Sequence, residues 1–299
     1  MSYTAPSMSL ERRGILLILL SALFFALATV FAKLMVENYD ASALIVTFCR
    51  FAIGLLVALP GVITGTTPLK PVNPRLVAWR AITNTVAVFL FFLGVQFTTV
   101  TKANLLNMTY PVFVFLAAPL INRESSPKRY YIFLLLTLFG AWQVVRPEEL
   151  ERLGSFVLGD LLAFSSAVVA GLAISLLRQA RKQDESSTIL FYLMLLGTVA
   201  NTAALFWIPF PPLPGVLLAA VGGAMGAAGQ LALTAGYRYV SAAGGALLSS
   251  SRLLFAILLG AIIFGDLVTL RVALGALLIA CSLIGVTLSR LRAAPEAEG

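Results

Sequence analysis

ANLLNMTYPVFVFLAAPLINRE, residues 103–124, is the stretch that decides the fold. It is an apolar run with a proline near its middle, Pro111. A small polar cluster precedes it (Asn104, Asn107, Thr109, Tyr110), and a carboxylate, Glu124, ends it. Residues 245–266, GALLSSSRLLFAILLGAIIFGD, repeat the pattern. A shift of 142 carries Leu105-Leu106 onto Leu247-Leu248, Phe113 onto Phe255 and Glu124 onto Asp266. Two copies of one apolar segment, far apart in one chain, mark an internal duplication.

The rest of the chain is built of similar runs. Of its 299 residues, 60% are hydrophobic and 11% charged, against about 25% charged in soluble domains. Apolar runs of about 20 residues read as spanning helices, so the lipid bilayer is the expected surrounding. The net charge of +8 does not form a basic stripe with interleaved aromatics, so no nucleic acid is expected as partner. Cys49 and Cys281 both fall inside predicted spans and read as small buried apolar residues, not as a disulfide or metal pair. The chain has no histidine, which removes the commonest general base and metal ligand. No cofactor and no metal are expected. Arg12 and Arg13 before a run ending LATVFA resemble a signal peptide. The run is long for one and matches a later segment, so it reads as a retained first helix.

Ten spans are predicted: 14–35, 42–64, 75–97, 100–121, 129–146, 157–180, 187–209, 214–237, 241–263 and 269–290. Tails of 1–13 and 291–299 flank two five-span halves, 14–146 and 157–290. The links near 98–101 and 238–241 are short enough to make their helices antiparallel neighbours. With a cytoplasmic N-terminus, thirteen Lys and Arg fall on inside segments and five on outside ones. That bias places both termini in the cytoplasm of an inner-membrane protein.

The same shift of 142 pairs Gly94 with Gly236, Phe97 with Tyr239 and Thr99 with Ser241. A shift of 145 pairs Gly14 with Gly159, Ser21 with Ser166 and Lys33 with Arg178. Five is odd, so the second half enters the membrane upside down relative to the first. The fold class expected is therefore all-α, ten transmembrane helices in two inverted five-helix repeats. Such repeats place a substrate site near the midplane where the halves meet.

This layout resembles the drug/metabolite transporter superfamily in its EamA branch. The residues that carry the resemblance are TKANLLNMTYPVFVFLAAPLINRE (101–124), its second copy ending in Asp266, and the Gly159-Asp160 opening of the sixth span. The resemblance covers about 14 to 290 and is greatest to YddG-type amino-acid exporters. It implies export of neutral amino acids, aromatic ones among them, by a monomer. One position departs. The second copy of the family usually has a proline matching Pro111; here it is Leu253, preceded by Arg252.

Ionisable groups inside lipid are costly and are functional candidates. Arg252 lies near the centre of the ninth span, with no acidic partner evident in sequence. Two readings of it stand. It clamps a substrate carboxylate through two parallel hydrogen bonds, or it bonds helix-end carbonyls freed by Pro111 or Ser249-Ser250-Ser251. Arg50 reads as structural, its stem snorkelling toward an interface, and Arg80 lies near the inner end of the third span. The candidate substrate-binding set is Arg252, Asn84, Asn107, Tyr110, Ser165, Ser166, Gln230 and Ser249. For each polar member, bonding across helices is the competing reading. Pro111 is the candidate gating hinge, since proline removes a backbone bond. The eighth-span face of Gly222, Gly223, Gly226 and Gly229 reads as close packing that permits rocking.

These residues also exclude. Without histidine or a deep carboxylate there is no base or metal site for a membrane enzyme. A cation exporter would want a membrane carboxylate. Proton coupling would too, so facilitative transport is expected. A carrier of sugar phosphates or organic anions would want several cavity cations. Arg252, read as nearly alone, ranks that class second.

Overall fold

Residues in lipid have no water to satisfy their backbone, so an apolar chain must close its hydrogen bonds within each segment as helix. The computed structural model describes residues 8–42, 44–97, 106–144, 158–265 and 267–293. Every regular element among them is helical: α1 Met8–Tyr39, α2 Leu44–Ile63, α3 Pro74–Phe97, α4 Tyr110–Ile121, α5 Lys128–Val144, α6 Leu158–Ala180, α7 Ser186–Leu205, α8 Leu213–Gly236, α9 Ala242–Ser249, α10 Ser251–Phe264 and α11 Leu270–Ala293. Among the described residues, seven segments are long and apolar enough to cross a membrane, with α9 and α10 counted as one, and α4 is a shorter apolar helix. Large apolar side chains such as Leu56, Leu120, Ile132 and Ile262 point outward, as lipid contact requires. The short link at 98–101, Asn104 and Asp266 lie outside the described residues.

The helices pair in a regular way. α1 lies along α8 and α3 along α6; α2 packs on α7 and α8, and α7 also on α3; α4 packs on α6 and α10 on α1; α5 packs on α11. Exchanging the first five spans with the last five maps this set of pairs onto itself. The glycines explain the close approaches. A Cβ on Gly14 would reach the Tyr239 side chain, one on Gly229 that of Phe25, and one on Gly222 that of Phe31. α1 and α8 are therefore antiparallel and nearly in backbone contact. α5 and α11 touch at Gly140 and Gly275, where a Cβ on either would lie 2.8 or 2.6 Å from the other's carbonyl oxygen. Thr137 donates to Ser282 Oγ at 2.8 Å, and Ser282 to the Phe133 carbonyl at 2.8 Å, across the same seam. Gly275→Val is expected to lower the melting temperature of the purified protein in micelles, at a cost of about 1–3 kcal/mol for forced separation. Leu277→Val, on a side chain 58% exposed, should leave it in place.

The largest buried cluster sits at the face where α1 begins and α11 ends, with Ile15 and Ile18 of α1, Leu177 of α6, Tyr237 and Val240 after α8, and Leu247 and Leu248 of α9. A polar network seals the same face. Glu124 Oε1 takes the Arg178 Nε at 2.9 Å and the Lys182 Nζ at 3.2 Å, while Oε2 accepts from the Ala242 backbone N–H at 3.0 Å. Arg178 also donates to the carbonyls of Tyr237 and Arg238. Arg290 pairs with Glu11 and donates to Ser241 Oγ. Arg181 donates to the carbonyls of Thr234 and Asp184. Burial lowers its pKa to about 10, so it stays charged at neutral pH. Asp184 in turn accepts from the backbone N–H groups of Val72 and Asn73. The loops after α2, α4, α6 and α8 are tied into one plug.

Candidate functional site

Two broken helices and three arginines make the candidate site. The fourth span, read as one continuous run over 100–121, is interrupted before Tyr110. The Thr109 N–H bonds the Leu106 carbonyl at 3.2 Å, and the Val112 N–H the Thr109 carbonyl at 3.0 Å. These are three-residue turns in place of helical bonds. Pro111 therefore stands in the first turn of α4, where its missing N–H breaks no helical bond. The reading that Pro111 removes a bond from a continuous helix is corrected accordingly: the break lies just before it. The ninth span breaks in the same way between α9 and α10: Ser250 N–H to Leu247 carbonyl at 3.0 Å, and Leu253 N–H to Ser250 carbonyl at 3.0 Å. The second break follows the first by 141 residues, one fewer than the sequence match. Leu253 in place of proline does not prevent it. The serines supply the competing bonds, Ser249 Oγ to the Gly245 carbonyl at 2.9 Å and Ser250 Oγ to that of Ala246 at 3.4 Å.

The two breaks face each other. Tyr110 Oη donates to the Ala246 carbonyl at 3.2 Å, and Arg252 Nη2 reaches Met108 Sδ at 3.4 Å. Arg252, Tyr110 and Ser249 are thus brought together where the breaks meet. Asn107 donates to Ser166 Oγ at 2.8 Å, which donates on to the Ala163 carbonyl. That pair ties the fourth span to α6, which is the helix-bonding role for both residues. Ser165 is half-buried beside it.

Arg50 corrects the sequence reading. It does not reach for an interface. Its Nη2 donates to Gln230 Oε1 of α8 at 2.6 Å. Its guanidinium stacks over Phe25, 4.9 Å from the ring centre, with Phe51 at 5.6 Å. The stem of Arg50 lies on the small-residue face of α8: a Cβ on Gly226 would be 2.9 Å from Arg50 Cδ. Gly226 thus makes room for a charged side chain, which a leucine-lined helix could not. Cys49 packs on the same face at Gly223. Cys281 is exposed instead of buried, and both cysteines are free. Arg80 is 1% exposed and donates to Asn84 Oδ1 at 3.0 Å. Arg50 has both Arg252 and Arg80 as charge neighbours. Arg252 is not nearly alone, as the sequence reading had it.

Tyr237, which sequence reasoning passed over, is fully buried and is a charge neighbour of Arg80. Its one signal in the sequence is a tyrosine directly after the glycine that ends the eighth span. Glu124, singled out only as a repeat partner of Asp266, is the centre of the plug.

A model of the family described as "EamA-like transporter family" matches residues 12–146 and again 157–288. The chain belongs to the EamA-like transporter family. Among its relatives are solute carrier family 35 member G1 of Homo sapiens, 24% identical over 293 residues that cover 93% of this chain and 79% of that protein. Another is the pseudopaline exporter CntI of Pseudomonas aeruginosa strain UCBPP-PA14, 27% identical over 242 residues covering 79% and 82%. A solved crystal structure superposes with a TM-score of 0.76 at 17% identity, covering 96% of this chain and 99% of that one, and shares the fold. Membership makes this chain a multi-pass membrane transporter, a class that is not enzymatic.

Proposed function

We propose that this chain exports amino acids across the inner membrane by alternating access, as a monomer with both termini in the cytoplasm. Two inverted five-helix halves, 14–146 and 157–290, rock about the facing breaks, with Pro111 as hinge. The self-mapping helix pairs and the paired breaks support the inverted arrangement. A relative carrying the name of an exporter supports the direction. The observation that carries the substrate reading is Arg252: a guanidinium between two broken helices, with no carboxylate within 4 Å among the described residues. A fixed unpaired cation at the midplane is what a substrate carboxylate needs. Neutral and aromatic amino acids follow from the resemblance to YddG-type exporters.

The absence of a carboxylate or histidine among the residues gathered at the breaks favours facilitative transport. The test is counterflow of labelled amino acids into liposomes holding the purified protein. Accumulation driven by unlabelled internal amino acid is the expected result. No accumulation across neutral, aromatic and acidic amino acids removes the amino-acid reading and leaves the family assignment in place.

A further inference from the structure

We propose that Arg80 and Arg50, with Asn84 and Gln230, form a second anion subsite that takes a second negative group of the substrate, a carboxylate or a phosphate. The inference rests on Arg252 holding the first carboxylate, and it moves the preferred substrate from the neutral amino acids of the resemblance to acidic ones. Its basis is a count of donors against acceptors. Arg50 Nε, Arg80 Nε and Nη2, Asn84 Nδ2 and Gln230 Nε2 are all buried N–H groups with no hydrogen-bond partner. Each amide oxygen already accepts one hydrogen bond, Asn84 Oδ1 from Arg80 and Gln230 Oε1 from Arg50. The unbonded atoms that remain in the two pairs are donors alone.

The charge balance points the same way. Arg50 is a charge neighbour of both Arg80 and Arg252. Among the described residues no carboxylate lies within 4 Å of any of the three. Burying guanidinium groups without counter-charge is expensive. A lone carboxylate on Arg252 would offset one charge of three and leave five donors unmet. A substrate with a second anionic group meets them. Phe25 and Phe51 lie against the Arg50 guanidinium, and its Nε is left without a partner for the ligand.

The experiment is counterflow of labelled glutamate beside labelled glutamine, two amino acids of one size that differ by a charge. It is run with wild type, Arg80→Gln and Asn84→Asp, each checked for a single melting transition. Asn84→Asp supplies Arg80 with an internal carboxylate, so it tests the subsite even where Arg80→Gln fails to fold. Wild type is expected to favour glutamate at least about tenfold, the scale of a charged hydrogen bond, and both variants to bring that ratio near one. Competition by phosphoserine stronger or weaker than by glutamate assigns phosphate or carboxylate as the second group. Equal transport of the two amino acids by wild type, or a ratio kept in the variants, overturns the subsite while the amino-acid reading stands. If neither amino acid moves, melting temperature decides the subsite. Succinate raising it in wild type and not in the variants upholds the site; no shift by succinate or inorganic phosphate overturns it.

Discussion

Arg252→Gln is expected to reduce amino-acid counterflow about a hundredfold while the protein stays folded. Glutamine keeps most of the length and a hydrogen-bonding head but removes the charge. Truncating one partner of a buried charge pair costs about 2–5 kcal/mol, and every 1.4 kcal/mol is a factor of ten. In the free protein the guanidinium has no carboxylate among the described residues, only Met108 Sδ at 3.4 Å. Its removal leaves no orphaned counter-charge, so the melting temperature should hold or rise. Transport by the variant at wild-type rate would assign Arg252 to helix packing and remove the clamp. The pairing of a large transport loss with unchanged melting is what separates a substrate ligand from a structural residue here.

Glu124→Ala is expected to destabilise the protein by about 3–5 kcal/mol, the cost of breaking a buried ion pair. Its carboxylate holds Arg178, Lys182 and the first backbone N–H of α9 at once, and the Arg178 side chain is 4% exposed. Without Glu124 both cations lose that counter-charge, and the ends of α4 and α6 lose their tie to α9. The pH dependence follows from the same contacts. Burial pushes the Glu124 carboxyl up, but Arg178, the Ala242 N–H and Lys182 together hold it below its ordinary value. A carboxyl depressed in the folded state stabilises above its unfolded pKa of about 4.3. That stabilisation is lost as the pH falls through the lower folded value. Melting temperature should therefore be flat in Glu124's contribution between pH 6 and 8 and fall below about pH 4. Glu124→Ala should flatten that acid limb. An acid limb as steep in the variant as in wild type would place the titration elsewhere.

Much of the fold was legible in the sequence because the forces that set it act along the chain. Lipid forces each apolar run into helix, so helix ends lie near the predicted ones, as with Leu158–Ala180 against 157–180 and Leu213–Gly236 against 214–237. The duplication was legible because both copies keep their glycines and charged ends. The site was legible only in part. Arg252, Tyr110 and Ser249 stand out in the sequence as a cation and a polar cluster in an apolar run, and the structure gathers them where the breaks meet. Asn107 and Ser166, candidates on the same ground, bond each other.

What the sequence by itself determined, then, is a membrane chain of apolar helices with an internal repeat and an arginine at mid-depth. Tertiary structure decided which way each helix faces. In a soluble helix the polar face marks the outside. Here lipid and protein interior are both apolar, so sequence pattern does not distinguish them. Arg50 could not be turned inward on paper, because the room for its stem comes from Gly226 on another helix, 176 positions along the chain. The break at Ser250 was hidden for a related reason. Leucine permits a helix there, and the serines divert its bonds without any proline to announce it. Glu124 looked like a loop carboxylate until Arg178 and Ala242, distant in sequence, closed around it. Each of these is a meeting of residues from different helices, and a charge in a low-dielectric interior takes its value from what it meets.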